Sequence, residues 1–503
     1  METLSLLMDG FSTSLLPLNL LIVVAGVVAG LLIGALPGLG PVNGVAIVLP
    51  MTFLVPPTSA MIFLAALYYG SMYGGAISSI LLGIPGDSAS VATTFDGRPM
   101  AQQGKAGLAI IAAAIASFVG GTSAVILFTI LANPLAEVAL AFGPAEEFAL
   151  VLLAFTTFVG LGGDDPLKTI LMICLGLVLA TVGLDMISGQ PRLIFFDLPG
   201  LYAGIGFLVV AIGVYGVGEI LWSVETEKSS PGVMAAKVTY RALLEGFRTI
   251  RQAWRTMTAG SLIGFFLGVM PAAGPTPAAL ISYGMAKKLS RNPQTFGKGN
   301  LEGVVAPETA NNAASTGAML PMLTLGIPGS ATTALLLGGM VMWGLTPGPM
   351  LFIEQQDFVW GLISSFYTAN FVAVAINLAL IPFFVWALRT PFAVLCAMVL
   401  VLCLVGAYAP NSRMFDVWLV AIFGVVGYLL RKADYPLAPL VLALVLGPLM
   451  EKAFRQTLIA EHGDMTAFVT RPISGTFIFI AAVLFLMPVI KYLRKSKTLA
   501  PAE

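Results

Sequence analysis

At four points in this chain one apolar run ends and the next begins around glycine and proline: Gly38-Leu39-Gly40-Pro41, Gly83-Ile84-Pro85-Gly86, Gly274-Pro275-Thr276-Pro277 and Gly326-Ile327-Pro328-Gly329. Pro41 and Pro275 each follow a glycine and suit the first turn of a new helix, where the missing N–H has no partner to lose. Asp87, Ser88 and Ser330 follow the other two breaks and are good N-cap residues. A helix start carries free N–H groups and partial positive charge, so four starts brought together can hold a carboxylate without any buried Lys or Arg. Opposed carbonyl ends would then be open to a cation such as sodium. The candidate substrate contacts are therefore Gly38, Gly40, Asn43, Gly86, Asp87, Ser88, Gly274, Thr276, Gly329 and Ser330. The competing reading makes the breaks plain kinks and packing notches.

A second constellation lies in Pro307 to Thr316. On a helix, Glu308, Asn311 or Asn312, and Ser315 recur at three- and four-residue spacing and share one face. Asn311 and Asn312 either line a binding site or join helices by hydrogen bonds. Glu308 is either an intramembrane carboxylate with a cation or proton role or a favourable charge at a helix start. Glu308 with Pro85 and Pro328 marks the candidate sodium site. Asn43, Tyr69 and Tyr73 hold comparable places earlier in the chain, and packing or substrate contact explains them equally well; Tyr73 joins the candidate substrate contacts.

The elements that must position these residues are membrane helices. Of 503 residues 58% are hydrophobic and only 10% charged, against about a quarter charged in a soluble domain. One span needs about 20 mostly apolar residues, so the chain holds more than one or two anchors. The 25 Lys and Arg balance the 25 Asp and Glu, which gives no basic excess for nucleic acid. Cys174, Cys396 and Cys403 lie in apolar runs, and the single histidine, His462, lies in a polar stretch. An integral-membrane hydrolase would need a nucleophile, base or metal cluster at depth, which this inventory disfavours. No Lys or Arg precedes Arg98, unlike the basic start of a signal peptide.

Two blocks recur in order. Gly26, Gly30, Gly34, Pro37, Gly40 and Pro41 return 234 residues later as Gly260, Gly264, Gly268, Pro271, Gly274 and Pro275. Gly74, Leu82, Gly83, Ile84, Pro85 and Gly86 return 243 residues later as Gly317, Leu325, Gly326, Ile327, Pro328 and Gly329. Basic residues, which favour the inside, swap between the copies. The first link, Pro50 to Ser59, has none, and Arg98 and Lys105 follow its second block; the second link carries Lys287, Lys288, Arg291 and Lys298. The copies are therefore expected to be inverted, with the N-terminus outside and the C-terminus inside. Inverted repeats with broken helices are a recurring plan of secondary transporters. The apolar segments near 106–132 and 358–388 are expected to supply scaffold or dimer contacts.

The expected fold is all-α: a polytopic membrane protein of about 11–15 transmembrane or half-spanning helices, in two inverted-topology repeats with re-entrant or broken helices. Residues 1–224 form the first membrane repeat, 225–255 a polar cytoplasmic connector, 256–410 the core of the second repeat, and 411–503 C-terminal helices.

The strings GALPGLGPVNGVAIVLP from Gly34, YYGSMYGGAISSILLGIPGDSASVATTFDGRPMAQQGKAG from Tyr68 and PETANNAASTGAMLPMLTLGIPG from Pro307 resemble the large permease subunit of tripartite tricarboxylate transporters, the TctA family. The resemblance covers nearly the whole chain. It implies a multi-pass protein of the bacterial inner membrane, in which the outside N-terminus expected from the basic residues is periplasmic and the inside C-terminus cytoplasmic. It also implies two partners, a small membrane subunit and a periplasmic solute-binding protein, and import of carboxylates with a cation gradient, usually sodium. Family members take di- and tricarboxylates and related organic acids. No cofactor is expected beyond the coupling ion, and no enzymatic activity. A passive anion channel is the main alternative, since helix ends also set pore selectivity.

Overall fold

Helices begin and end where glycine and proline dictate in the computed structural model, which describes residues 2–161, 165–185, 188–195, 198–226, 251, 253–271, 273–387 and 392–499. Most of the polar connector expected at 225–255 lies outside the described residues. The chain is an all-α polytopic membrane protein. Among the described residues, seven helices are long and apolar enough to cross a membrane: Pro17–Ala35, Pro57–Leu81, Ala106–Ala139, Phe207–Thr226, Gln356–Ala379, Met414–Lys432 and Pro472–Ile490. Gly40–Leu54, Pro166–Ala180, Ala331–Met342 and Ala393–Tyr408 are apolar but shorter. The strands described are the paired dipeptides Gly183–Leu184 and Pro191–Arg192.

Each expected break is present. The Pro17–Ala35 helix stops before Leu36 and a new helix, Gly40–Val48, starts with proline in its first turn. The Pro57–Leu81 helix ends before Gly83, and Val91–Gln102 follows a short 3-10 turn. In the second copy Trp254–Val269 gives way to Pro275–Leu289, and Glu302–Gly317 with Met319–Leu325 gives way to Ala331–Met342. Ala106–Ala139 is a single helix running through Pro134. Membrane helices tolerate such a proline when neighbours satisfy the freed backbone groups.

Close glycine contacts pair the helices in the same way in both blocks. Gly26, Gly30 and Gly34 lie against the carbonyls of Phe63, Leu67 and Ser71 on the Pro57–Leu81 helix. Shifting the glycines by 234 and the carbonyls by 243 gives Gly260, Gly264 and Gly268 against Ala306, Ala310 and Ala314, and these contacts are also present. A Cβ at Gly30, Gly34, Gly264 or Gly268 would run into backbone atoms. The absence of side chains is what lets the backbones approach, as is usual where helices pack in lipid. The correspondence extends to the breaks, where Gly86 rests on the Gly34 carbonyl and Gly329 on the Gly268 carbonyl.

Two further helices, from the segments near 106–132 and 358–388, pack against this core. Ala106–Ala139 packs along Glu302–Gly317, with Gly120 against the Thr309 backbone. Gln356–Ala379 packs on Pro57–Leu81, and its Asn370 amide sits beside Gly121 and donates to the Phe118 carbonyl. The outlying helices form other groups. Pro144–Leu161, Pro166–Ala180, Ala438–Ala460 and Pro472–Leu499 pack mainly on one another, while Phe207–Thr226 packs with Met414–Lys432 and Phe392–Tyr408. Among the described residues, short elements bridge to the core: Gly40–Val48 touches the Phe207–Thr226 helix, and Ala331–Met342 touches Ala438–Ala460.

The link that follows Pro275–Leu289 docks on the first copy through one carboxylate. Asp96, fully buried on Val91–Gln102, accepts from the backbone N–H groups of Gly297 at 2.9 Å, Gly299 at 2.8 Å and Asn300 at 2.7 Å, and from the Tyr283 hydroxyl at 2.9 Å. Gly297 and Gly299 both have positive φ, so the loop curls into a nest of N–H groups around the anion. The corresponding seam in the other copy is apolar. Gly339, 243 residues after Asp96, lies against Leu49, and Phe53 packs on Trp343 with ring centroids 5.1 Å apart.

Candidate functional site

All four breaks open onto one cavity of about 620 Å³, a size typical of small-ligand sites. Its wall includes Gly38, Gly40 and Asn43 from the first break, Asp87 and Ser88 from the second, Gly274 and Thr276 from the third, and Ser330 from the fourth. The elements meet across the copies: Ser88 Oγ lies 2.7 Å from Thr276 Oγ1, and the Tyr68 hydroxyl 3.4 Å from Ser330 Oγ. Gly40 faces the Asp87 side chain, and Gly274 the Ser330 side chain. Gly40 and Gly274 have φ of 58° and 62°, a left-handed conformation in which a side chain would be strained.

The caps are matched. Asp87 accepts from the Ser90 N–H at 3.0 Å while the Asp87 N–H donates to Ser90 Oγ, forming a reciprocal capping box. Ser330 and Thr333 form the same box. Of the two expected cap candidates after Gly86, Asp87 takes the role. Ser88 instead turns its hydroxyl to Thr276. Asn43 donates from Nδ2 to the Gly38 carbonyl at 3.3 Å and so braces the first break.

Five expected contacts lie off the cavity wall. Gly86 and Gly329 sit behind it, on the Gly34 and Gly268 carbonyls. Tyr73 points elsewhere, donating to Asn370 Oδ1 at 2.7 Å. Asn311 and Asn312 are buried in the Glu302–Gly317 helix beside Glu308, and Asn312 Nδ2 donates to Asn311 Oδ1 at 2.6 Å and to the Glu308 carbonyl at 3.0 Å. Tyr69 reaches Thr316, hydroxyl to hydroxyl at 2.6 Å.

Glu308 is not a helix-start charge. It lies well inside its helix and is fully buried, its carboxylate accepting from Thr93 Oγ1 at 2.5 Å and Ser117 Oγ at 3.1 Å. The acidic residue of the first turn is Glu302. Asn312 Oδ1 is buried nearby without a hydrogen-bond partner. Carboxylate, hydroxyl and amide oxygens are the hard donors that a sodium ion or a proton prefers. Pro85 and Pro328 each precede the tip glycine of their own break.

Charge in the cavity wall differs from expectation. Arg431, in the last turn of Met414–Lys432, lines the cavity and pairs with Glu219 of Phe207–Thr226. The expectation of an anion site without Lys or Arg is thus corrected at one residue. Tyr215, one turn before Glu219 in a π-helical stretch, lines the same cavity. None of these three stands out in the sequence: Glu219 and Arg431 sit near the ends of apolar runs, where helix-end charges are ordinary. Among the described residues, no group of three or more His, Cys, Asp and Glu gathers to hold a metal ion. His462 is exposed in a turn.

A family model for the Tripartite tricarboxylate transporter TctA family matches residues 20–442. The chain is 39% identical over 494 residues to the "Uncharacterized 52.8 kDa protein in TAR-I ttuC' 3'region" of Agrobacterium vitis, covering 98% of each chain. It is also 39% identical over 231 residues to the "Uncharacterized protein in TAR-II ttuC' 3'region" of the same organism, covering 45% of this chain and 96% of that protein. No solved structure matches.

Proposed function

Because the chain belongs to the TctA family of tripartite tricarboxylate transporters, and its role is therefore transport, we propose that it is the large membrane subunit of a carrier importing di- or tricarboxylates or related organic acids. A small membrane subunit and a periplasmic solute-binding protein complete the carrier in the bacterial inner membrane. The observation that carries the reading is the convergence of four helix breaks on one cavity. Uncharged N–H and hydroxyl donors there suit carboxylate oxygens. The two sets of equivalent contacts support a pair of repeats, residues 1–224 and the core 256–410, and the swapped Lys and Arg pattern supports their inversion, with a cytoplasmic connector between them and the helices of 411–503 after.

Import is secondary active and coupled to a cation, sodium first. A carboxylate carried through a low-dielectric slab is costly, and a co-bound cation offsets that charge. Glu308, with the Thr93 and Ser117 hydroxyls and the unpartnered Asn312 oxygen, is the coupling site in this reading. Reconstitution with both partners, in proteoliposomes given a sodium gradient, a proton gradient or a membrane potential separately, tests it with citrate, succinate and malate as probes. Accumulation should follow the sodium gradient, and Glu308→Gln should abolish that dependence. Accumulation indifferent to all three driving forces overturns coupling, and flux that only equilibrates the probe marks a channel.

The inverted arrangement has its own test. Leu54 is 89% exposed and Lys288 is exposed, whereas Ser59 is buried and bonded to Asn19. In a chain with Cys174, Cys396 and Cys403 replaced, an impermeant thiol reagent added outside whole cells should label Leu54→Cys and not Lys288→Cys. Equal labelling of both rejects inversion.

A further inference from the structure

The cavity wall carries three formal charges: Asp87, Glu219 and Arg431. Asp87 is engaged in capping its own helix, and Glu219 neutralises Arg431. Among the described residues, an arriving anion therefore meets no free positive side chain in the wall, only helix starts, unless Arg431 changes partner. Its setting permits that. The Arg431 side chain is 35% exposed and lies over the Trp222 ring at 5.3 Å, while Glu219 is buried. Glu219 also reaches the first break, its Oε1 lying 3.6 Å from where a Cβ on Gly38 would stand. A carboxylate of the protein thus already sits against the break that the substrate is expected to occupy.

A second observation points the same way. Tyr215 lines this cavity, and its hydroxyl is buried beside it without a hydrogen-bond partner. Buried polar groups in native proteins are almost always satisfied, and one that is not marks a place where a partner is due. Tyr215 and Glu219 are four residues apart on one helix and so share a face. A tyrosine O–H and an arginine fork are both donors to carboxylate.

We propose that Arg431 and Tyr215 form a second carboxylate subsite, on the side of the cavity built by Phe207–Thr226 and Met414–Lys432, with Glu219 as the resident counter-ion that the substrate displaces. One substrate carboxylate binds at the helix starts and another at Arg431, so the site selects anions with two or more carboxylates over monocarboxylates of the same length. Glu219 holds the guanidinium in place while the cavity is empty. This inference rests on the carboxylate-transport reading and names its substrate class.

The test is calorimetric titration of the purified full chain in nanodiscs with matched probes: succinate against butyrate, glutarate against pentanoate, adipate against hexanoate. The unaltered chain should prefer the dicarboxylate by about tenfold or more, the size expected of a charge-assisted bond. Arg431→Gln should bring the two probes within about threefold of each other, because the group that reads the second carboxylate is gone. Tyr215→Phe should narrow the preference in part. Glu219→Gln, which loosens the resident pair, should strengthen dicarboxylate binding, and it carries the test if Arg431→Gln does not insert. A preference that survives Arg431→Gln, or dicarboxylate binding unchanged or weakened in Glu219→Gln, overturns the subsite and leaves the transport reading standing. Failure of the unaltered chain to bind any of the six probes overturns both.

Discussion

Asp96→Ala is expected to destabilise the protein by about 3 kcal/mol, since it leaves four part-buried donors without the acceptor they share. Those donors are the N–H groups of Gly297, Gly299 and Asn300 and the Tyr283 hydroxyl. The loop they belong to is otherwise tied mainly by the Gln103 amide, which donates to the Lys298 carbonyl at 2.8 Å. Released, the loop should admit trypsin at the exposed Lys298. Thermal unfolding and limited proteolysis in detergent check this together. Asp96→Asn keeps one acceptor oxygen and should fall between the two. An alanine variant as stable and as resistant as the unaltered chain would mean that water replaces the carboxylate at no cost.

Gly86→Leu and Gly329→Leu are each expected to abolish uptake, by about a hundredfold or more, while the chain still inserts. Losses of this order follow when a site is displaced by about 1 Å. At Gly86 a Cβ would run into the Gly34 carbonyl and stand 2.7 Å from the Gly75 Cα; at Gly329 it would meet the Gly268 carbonyl and stand 2.8 Å from the Ala318 Cα. Backbone cannot give way as a flexible side chain can, so the tip must move, taking with it Asp87 and Ser88 in one copy and Ser330 in the other. Gly284→Ala serves as the control. A Cβ there meets nothing within 4 Å, and alanine is the better helix former. Uptake retained by both leucine variants would reduce the breaks to packing notches.

The helix breaks were legible in the sequence because their cause is local. Glycine and proline act on their own backbone, and a cap acts within three residues, so Pro41, Pro275, Asp87 and Ser330 announce their roles by spacing alone. The repeat was legible for a related reason: a glycine that must touch a carbonyl leaves the same mark wherever the contact is rebuilt. Roles that depend on distant partners were not legible. Glu219 and Arg431 meet across more than two hundred residues, and each by itself is an ordinary charge near a helix end. Asp96 lay in a stretch whose basic residues were informative only about sidedness. Its N–H partners are supplied by a loop of the other copy, and a glycine-rich loop does not state which anion it encloses. Glu308 stood between two readings because its position along the helix was open, and its burial removes the helix-start one.

The unlike seams at Asp96 and Gly339 should respond differently to temperature. Contact between Leu49, Phe53 and Trp343 is an apolar burial, whose driving force weakens on cooling and carries a large heat-capacity change. The Asp96 seam adds charge-assisted hydrogen bonds to an aromatic contact of Tyr283 with Phe95 and Phe296. Chilling should therefore loosen the Leu49 seam more than the Asp96 seam, which hydrogen exchange followed from cold to warm would show.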